Sequence, residues 1–101
     1  MKFSHNKDEV TERLESQKFP HSVSHTIELY LFSQYDPGKG LKAILSNDLF
    51  DAVSYCDDMT IENLAKIVRF FHNYTPSFCW GTKEKVDAWL DGEAGYPENW
   101  T

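Results

Sequence analysis

Apolar residues recur at intervals of three and four along most of the chain, with polar residues between them. The clearest run starts after Thr60, whose side chain suits a helix N-cap, and ends at the Thr75-Pro76 pair. Because one helical turn takes 3.6 residues, this run predicts an amphipathic helix with one apolar face. The residues on that face are Ile61, Leu64, Ala65, Val68 and Phe71.

Five further helices are predicted from the same spacing and from capping residues. Asn6 and Glu9, three residues apart, have the form of a capping box and begin a helix that Pro20 ends. Thr82 is placed to cap the last helix, and Gly92 to end it in a left-handed conformation. The other helices are predicted to start at Ser22 or Ser24, at Leu41 and near Asp48.

No segment alternates apolar and polar residues with the period of two that a half-buried strand shows. We therefore predict an all-α fold, a small bundle of five or six short helices. A single helical domain is expected over residues 1–92, and the helix at 6–16 can lie at its periphery. Residues 93–101, which include Gly95 and Pro97, are expected to form a C-terminal tail that is a loop or loosely docked.

The length and composition are those of one globular domain. The chain has 101 residues, of which 41% are hydrophobic, a content too high for a disordered chain. Sixteen acidic residues against ten basic ones give a net charge of −6. An acidic protein gains no affinity for a phosphate backbone from counterion release, so direct binding of nucleic acid is not expected.

Apolar runs and cysteines indicate the compartment in which the protein acts. No stretch reaches the roughly 18 consecutive apolar residues of a membrane span, and the first nine residues lack the apolar core of a secretion signal. The two cysteines, Cys56 and Cys79, are too few for a disulfide scaffold. We therefore expect free thiols, no membrane association and a cytoplasmic location.

Three segments carry a distinctive combination of residues. They are Leu45-Ser46-Asn47-Asp48-Leu49, then Pro76-Ser77 with Cys79-Trp80-Gly81-Thr82, and finally Val86 with Trp89-Leu90. In order and spacing they resemble a group of small phage and prophage proteins with the pattern LSNDL … PS.CWGS … V..WL, which covers roughly residues 26–91. Thr82 replaces the usual serine, and both residues cap helices. The resemblance implies a phage-type accessory protein in the host cytoplasm and implies no reaction.

The loop from Tyr74 to Trp80 is the most suggestive candidate for a ligand site. Tyr74, Phe78 and Trp80 bring three rings within seven residues, and Asn73 adds an amide that would orient a ligand. Flat rings beside a few polar groups are typical of surfaces that stack a nucleobase or anchor a protein partner. The alternative is that Trp80 packs this loop onto the last helix.

Two polar segments supply the other candidate ligand contacts. Lys39 and Lys42 lie in and after a two-glycine turn ahead of a helix, where they and Arg69 are predicted to meet phosphate groups. The alternative for this segment is a plain turn. Asn47, in the Ser46-Asn47-Asp48 triplet, is predicted to fix the orientation of a ligand. The alternative is that the first or second residue of the triplet only caps a helix.

No group of residues makes a convincing catalytic or metal site. Cys79 with His72 and Asn73 has the residue types of a thiol nucleophile, but its neighbours are aromatic and suit a buried sulfur. Cys56, Asp57, His72 and Cys79 lack the close cysteine pair of a structural zinc site. We therefore expect no catalytic residue, no metal and no cofactor.

These observations favour a binding protein over an enzyme, and two hypotheses remain. In the first, a homo-oligomer sequesters a small nucleotide-like molecule such as a host defence signal, which would make the protein an anti-defence factor. Trp80, Phe78 or Tyr74 would stack the base, and short helices that bury little alone favour the oligomer. In the second, the acidic aromatic surface inhibits a host protein directly, for example a nucleic-acid enzyme, with binding that weakens steeply with salt.

Overall fold

The computed structural model describes residues 5–100, and across that range the chain forms seven α-helices and no strand. The helices are α1 (Lys7–Ser16), α2 (His21–Ser33), α3 (Lys39–Leu45), α4 (Leu49–Tyr55), α5 (Asp58–Glu62), α6 (Leu64–Tyr74) and α7 (Lys83–Leu90). Single turns of 3₁₀-helix follow α6 and α7, at Ser77–Cys79 and Glu98–Trp100. The prediction of an all-α fold is confirmed. Residues 1–4 of the predicted domain and residue 101 of the predicted tail lie outside the described range.

Side-chain caps begin the first and the last α-helix where the sequence predicts them. The Asn6 side-chain oxygen accepts a hydrogen bond from the Glu9 N–H at 2.8 Å, and the Thr82 hydroxyl accepts one from the Lys85 N–H at 3.1 Å. Gly92 follows α7 with a φ of +80°, the left-handed conformation expected there. Each cap satisfies a backbone N–H that has no partner within its own helix.

The long helix predicted after Thr60 is two helices in the structure. Asp57 caps α5, because its carboxylate accepts a hydrogen bond from the Thr60 N–H at 2.8 Å, so the prediction that Thr60 is the cap is wrong. The break falls at Asn63, whose side-chain amide donates to the Met59 carbonyl at 2.8 Å. A side chain that competes for backbone carbonyls in this way interrupts a helix. Residues 5–100 therefore form seven α-helices rather than five or six.

The second helix begins earlier than the sequence predicts. Its first residue is His21, directly after Pro20, and no side chain in the described part of the chain caps it. The prediction of Ser22 or Ser24 as the N-cap is wrong, because both residues lie inside the first turns of α2. The ring of Pro20 fixes its φ, here at −52°, and so directs the chain into the helix where a side-chain cap is lacking.

Tyr30 and Trp89 form the centre of the core. Both side chains are fully buried, and their ring centroids are 6.2 Å apart. The Trp89 indole N–H donates to the Tyr30 carbonyl at 2.7 Å, and the Tyr30 hydroxyl donates to the Cys79 carbonyl at 2.6 Å. Val10 and Leu14 of α1 are buried in the same cluster. Helices far apart in sequence are thereby joined, and the buried polar groups at their centre are satisfied.

The predicted tail packs on this core more closely than a loose loop would. Trp100 is only 9% exposed, and its indole N–H donates to the His5 carbonyl at 3.0 Å. The Tyr96 hydroxyl donates to the Phe32 carbonyl at 3.0 Å, and the Tyr96 ring lies edge to face with Trp89. Two aromatic side chains bury enough surface to dock a segment that has little regular structure of its own.

Helices α3 and α4 form a hairpin that carries several candidate residues. Asp48 caps α4, since its carboxylate accepts from the Asp51 N–H at 3.1 Å, so the cap is the third residue of the polar triplet. Asn47 has a φ of +62° and ends α3 in the left-handed region that asparagine tolerates. Gly40 allows α3 to approach Cys56, at the end of α4, closely. A Cβ at this position would lie 2.7 Å from the Cys56 Sγ.

Candidate functional site

The structure places most of the predicted ligand residues in two concavities and on the surface around them, and Lys39 also lines a third cavity, of about 300 Å³, between α2 and α3. Lys39 and Lys42 line a groove formed by α3, α4 and the start of α7. Asn47 and Trp80 line an apolar pocket formed by α3, α6 and the loop after α6. The two concavities share no lining residue. The predicted stacking ring of Trp80 and the predicted phosphate-binding lysines therefore belong to separate places.

The groove has a volume of about 400 Å³ and is named here the lysine groove. Three ammonium groups and three carboxylates line it, so opposite charges are balanced within it. Such a lining suits a ligand that has both an anionic group and hydrogen-bond donors. The lining residues are Lys39, Lys42, Ala43, Ser46, Asp48, Asp51, Tyr55, Lys83, Val86 and Asp87.

Two of the three groove lysines make weak contacts with other groove residues. The Lys83 Nζ lies 3.3 Å from a carboxylate oxygen of Asp87, and both side chains are more than half exposed. The Lys39 Nζ lies 5.3 Å from the centroid of the Tyr55 ring, at cation–π distance. Exposed contacts of this kind are worth about 1 kcal/mol or less, so an anionic ligand replaces them at small cost.

The third lysine takes part in the turn ahead of α3, which Asp36 organises. One carboxylate oxygen of Asp36 accepts from the Lys42 Nζ at 2.9 Å, and the other accepts from the Gly38 N–H at 2.8 Å. Two hydrogen bonds hold the pKa of Asp36 below its usual value. The one from Lys42 has the larger effect and the one from Gly38 the smaller. Gly38 has a φ of +90°, which favours glycine. The Gly38 N–H is thus already satisfied, which favours the interpretation as a plain turn.

The apolar pocket, named here the Trp80 pocket, has a volume of about 230 Å³. Its base is closed by a hydrogen bond from the Gly81 N–H to the Leu45 carbonyl, 2.6 Å long, which ties the loop to α3. The lining is mainly aliphatic and aromatic, so the pocket suits a flat apolar group. The lining residues are Ile44, Leu45, Asn47, Val68, Phe71, His72, Trp80 and Gly81.

Packing alone holds the Trp80 ring in this pocket. Its centroid lies 5.7 Å from that of the His72 ring, and its indole nitrogen is buried with no hydrogen-bond partner among residues 5–100. A buried donor left unpaired costs about 1–3 kcal/mol, so the apolar contacts of the ring must outweigh that cost. Of the three rings in the Tyr74–Trp80 loop, Phe78 is the one that contacts Trp89 of the last helix, with centroids 5.8 Å apart.

The remaining predicted ligand residues lie outside both concavities. Tyr74 is half-buried, and the Arg13 guanidinium lies 5.3 Å from its ring centroid. Phe78 is 37% exposed, and Asn73 and Arg69 are exposed on α6. None of these four residues lines the lysine groove or the Trp80 pocket. The aromatic loop is therefore not one continuous stacking surface.

Four polar groove residues are missing from the candidates chosen by sequence: Asp51, Tyr55, Lys83 and Asp87. Tyr55 is the last residue of α4, one turn after Asp51, and is 55% exposed. Lys83 is the first residue of α7. Helical spacing places Tyr55 beside Asp51 and was a usable signal. No local pattern places Lys83 there, because the packing of α7 against α3 is a tertiary contact.

The Cys79 thiol, considered above together with His72, has the environment of an inert core group. Cys79 is fully buried, and burial raises the pKa of its thiol to about 12. Almost no thiolate exists at neutral pH under these conditions, and the thiolate is the nucleophilic form. Within residues 5–100, no group of three or more His, Cys, Asp or Glu side chains is placed to hold a metal ion.

Comparisons with known proteins add no family assignment, because the chain matches no family model, no curated protein and no solved structure. Among the described helices, none is long and apolar enough to cross a lipid bilayer. The lysine groove and the Trp80 pocket are therefore interpreted from their own residues, which offer binding groups of two kinds: charged in the groove and apolar in the pocket.

Proposed function

We propose that this protein is a non-enzymatic, phage-type accessory protein that sequesters a small nucleotide-like molecule as a homo-oligomer. The lysine groove carries the proposal, because three ammonium groups line a volume of about 400 Å³ beside an exposed tyrosine ring. This volume lies in the range of small-molecule sites. The assignment to a phage-type accessory protein rests on the resemblance of the sequence pattern.

The ammonium groups of the groove are the proposed phosphate ligands. A phosphate replaces the carboxylate partners of Lys42 and Lys83, and it draws the Lys39 ammonium away from the Tyr55 ring. The uncovered Tyr55 ring then offers a flat face on which a base stacks, an interaction worth about 1–3 kcal/mol. The four side chains thus supply the two contacts that a nucleotide requires.

The carboxylates of the groove favour a small ligand over a polynucleotide. Asp51 and Asp87 accept hydrogen bonds from ribose hydroxyls or from the N–H groups of a base. The same carboxylates repel the successive phosphates of a long strand, and the net charge of −6 adds to this repulsion. A ligand of one or two nucleotides fits these charges better than nucleic acid does.

The proposed place of action is the host cytoplasm. Cys56 and Cys79 are both free thiols, which suits a reducing compartment. A protein that removes a nucleotide signal there would act as an anti-defence factor for the phage. The proposal requires no reaction, because binding in excess over the signal lowers its free concentration.

Native mass spectrometry of freshly purified protein, before and after denaturation, is the first test. We expect a discrete oligomer with an added mass of a few hundred daltons per chain. Isothermal titration calorimetry with ADP, GDP and cyclic AMP then measures affinity in the purified protein. No binding of any of these three nucleotides at about 1 mM would contradict the proposal, since this corresponds to only about −4 kcal/mol.

A matched pair of variants locates the ligand on α7. Lys83→Gln removes an ammonium from the groove, whereas Lys85→Gln removes one two residues later, outside the groove. Loss of one charge-assisted hydrogen bond costs about 1.5–3 kcal/mol, so Lys83→Gln should weaken binding roughly tenfold or more. The Lys85→Gln protein should bind as the wild type does. Equal affinities of the two variants would place the ligand elsewhere.

Direct inhibition of a host protein is the second candidate function, and the net charge of −6 favours it. A basic partner would associate by long-range attraction, and salt would weaken the complex steeply. Ligand-free protein in native mass spectrometry, together with a single partner captured at low salt and lost at high salt, would favour this function. Retention of a small ligand by the purified protein would favour sequestration.

A further inference from the structure

Three highly exposed apolar side chains lie together on α4. Leu49 is 62% exposed, Phe50 86% and Val53 57%. Leu49 and Val53 are one helical turn apart and Phe50 lies beside them, so the three form one stripe, named here the α4 stripe. Together they expose roughly 400 Å² of apolar surface, the size of the largest apolar patch on a typical monomer, and such patches are often functional.

The α4 stripe and the lysine groove lie on different sides of α4. Asp51 and Tyr55, one turn apart, line the groove. At about 100° per residue, the direction of Phe50 is roughly 140° away from that of Tyr55 around the helix axis. A partner that covers the stripe therefore leaves the groove open for a ligand.

The Trp80 pocket begins close to this stripe. Asn47 lines the pocket, and Phe50 follows three residues later, at most about 11 Å along the chain. The pocket volume is about 230 Å³, whereas a cavity of about 150 Å³ is enough to bind benzene. Because Phe50 is 86% exposed, it does not fill the pocket of its own chain. The protein thus carries an unfilled pocket and an uncovered phenyl ring on neighbouring parts of its surface.

The chemistry of the pocket favours an aromatic side chain over a charged ligand. The Trp80 indole nitrogen is buried, so the pocket presents the ring of this residue rather than its donor. Val68, on the pocket wall, is 49% exposed, so about half of its surface is left uncovered by residues 5–100. Aromatic rings pair well with a second ring at 4.5–7 Å, and such pairs are favourable beyond the area they bury.

We infer that the α4 stripe and the Trp80 pocket form the interface with a second copy of this chain, with Phe50 of each copy in the other's pocket. A twofold interface requires a surface complementary to itself, and a projecting ring beside a pocket meets this requirement. Stripe and pocket wall expose roughly 500 Å² per copy, so a symmetric pair buries roughly 1,000 Å², the lower limit for a specific interface. The inference rests on the homo-oligomer of the proposed function and deepens it.

Sedimentation velocity at roughly 1 to 100 µM chain concentration tests the inference on the 101-residue chain. We expect the wild type to dimerise in this range. Phe50→Ala removes the inserted ring, and Val68→Glu places a charge on the pocket wall, so each should weaken dimerisation tenfold or more. Tyr35→Ala removes another exposed ring, 62% exposed and outside both surfaces, and this variant should dimerise as the wild type does. Circular dichroism checks that each variant keeps its helices.

A mixture of the two variants gives an independent measurement. The Phe50→Ala chain keeps an intact pocket and the Val68→Glu chain keeps an intact ring, so one of the two contacts forms again between them. A mixed dimer more stable than the dimer of either variant alone is expected. A wild type that stays monomeric, or a Phe50→Ala protein that dimerises unchanged, would overturn the inference. Calorimetry with nucleotides on the Phe50→Ala protein separates a failure of this interface from a failure of the ligand site.

Discussion

Removing the Tyr30 hydroxyl measures how much the buried hydrogen bonds at the centre of the core stabilise the fold. Tyr30→Phe keeps the ring and its packing, but the Cys79 carbonyl loses a donor that lies 2.6 Å away. Both residues are fully buried, so water does not readily replace the hydroxyl. A buried acceptor left unpaired costs about 1–3 kcal/mol, and we expect the free energy of unfolding to fall by that amount.

Thermal and urea denaturation followed by circular dichroism measure this change. For a domain of this size, a loss of about 1–3 kcal/mol lowers Tm by roughly 5–20 °C. Tyr96→Phe is the matched control, because the Tyr96 hydroxyl also donates to a backbone carbonyl, that of Phe32 at 3.0 Å. This bond is at the surface, where water takes its place, so the control should lose about 0.5 kcal/mol or less.

Tyr30→Phe should also change how the free energy of unfolding depends on pH. Burial, and to a smaller extent the nearby Cys79 and Asp87, raises the pKa of the Tyr30 phenol far above its usual value of 10.0. Above pH 10 the unfolded chain therefore releases a proton that the folded chain retains, so stability falls by up to about 1.4 kcal/mol per pH unit. Tyr30→Phe should make this fall in stability less steep. The fall that remains comes from Cys79, because burial raises the pKa of its thiol above the usual value of 9.0 and the unfolded chain loses that proton first. Equal alkaline slopes, or a loss under about 0.5 kcal/mol, would refute the reasoning.

Two further predictions concern the cysteines. Gly40→Ala should lower stability by about 1–3 kcal/mol in urea denaturation, because the new Cβ would lie 2.7 Å from the Cys56 Sγ. Adding Cys56→Ala should restore only part of this loss, because the Cys56 backbone still lies within 3.3 Å of the new Cβ. If the effects of the two substitutions on stability simply add, the contact between residues 40 and 56 is contradicted. Iodoacetamide followed by mass spectrometry should label Cys56 in the folded protein and Cys79 only after denaturation. Equal labelling rates would be inconsistent with the burial of Cys79.

The separation of the lysine groove from the Trp80 pocket changes the ligand hypothesis in one respect. The sequence hypothesis combines a Trp80 stacking ring with Lys39 and Lys42 as phosphate ligands in one site. The structure places these residues in two concavities with different chemistry. The proposed stacking ring is therefore Tyr55, which shares the groove with the lysines, and the Trp80 pocket is free to serve the oligomer.

Interactions within a few residues explain the part of the fold that sequence reasoning predicts. The caps at Asn6 and Thr82 act on N–H groups three residues away, so the starts of α1 and α7 follow from local sequence. The start and the length of the helix after Thr60 are predicted wrongly, because local interactions of similar strength compete there. Asp57 and Thr60 are both good caps, and the Asn63 amide interrupts a helix whose apolar spacing continues past it.

The amino-acid sequence by itself determined the all-α class, the approximate number of helices and the acidic surface, because capping, helical spacing and net charge are local or additive properties. Only the tertiary structure decided which helices meet. Lys83 joins the lysine groove through the packing of α7 on α3, and Val68, predicted on a core face, is 49% exposed in the pocket wall. The physical reason is that apolar burial has no preferred direction. Spacing therefore shows which face of a helix is apolar, but not which partner covers it.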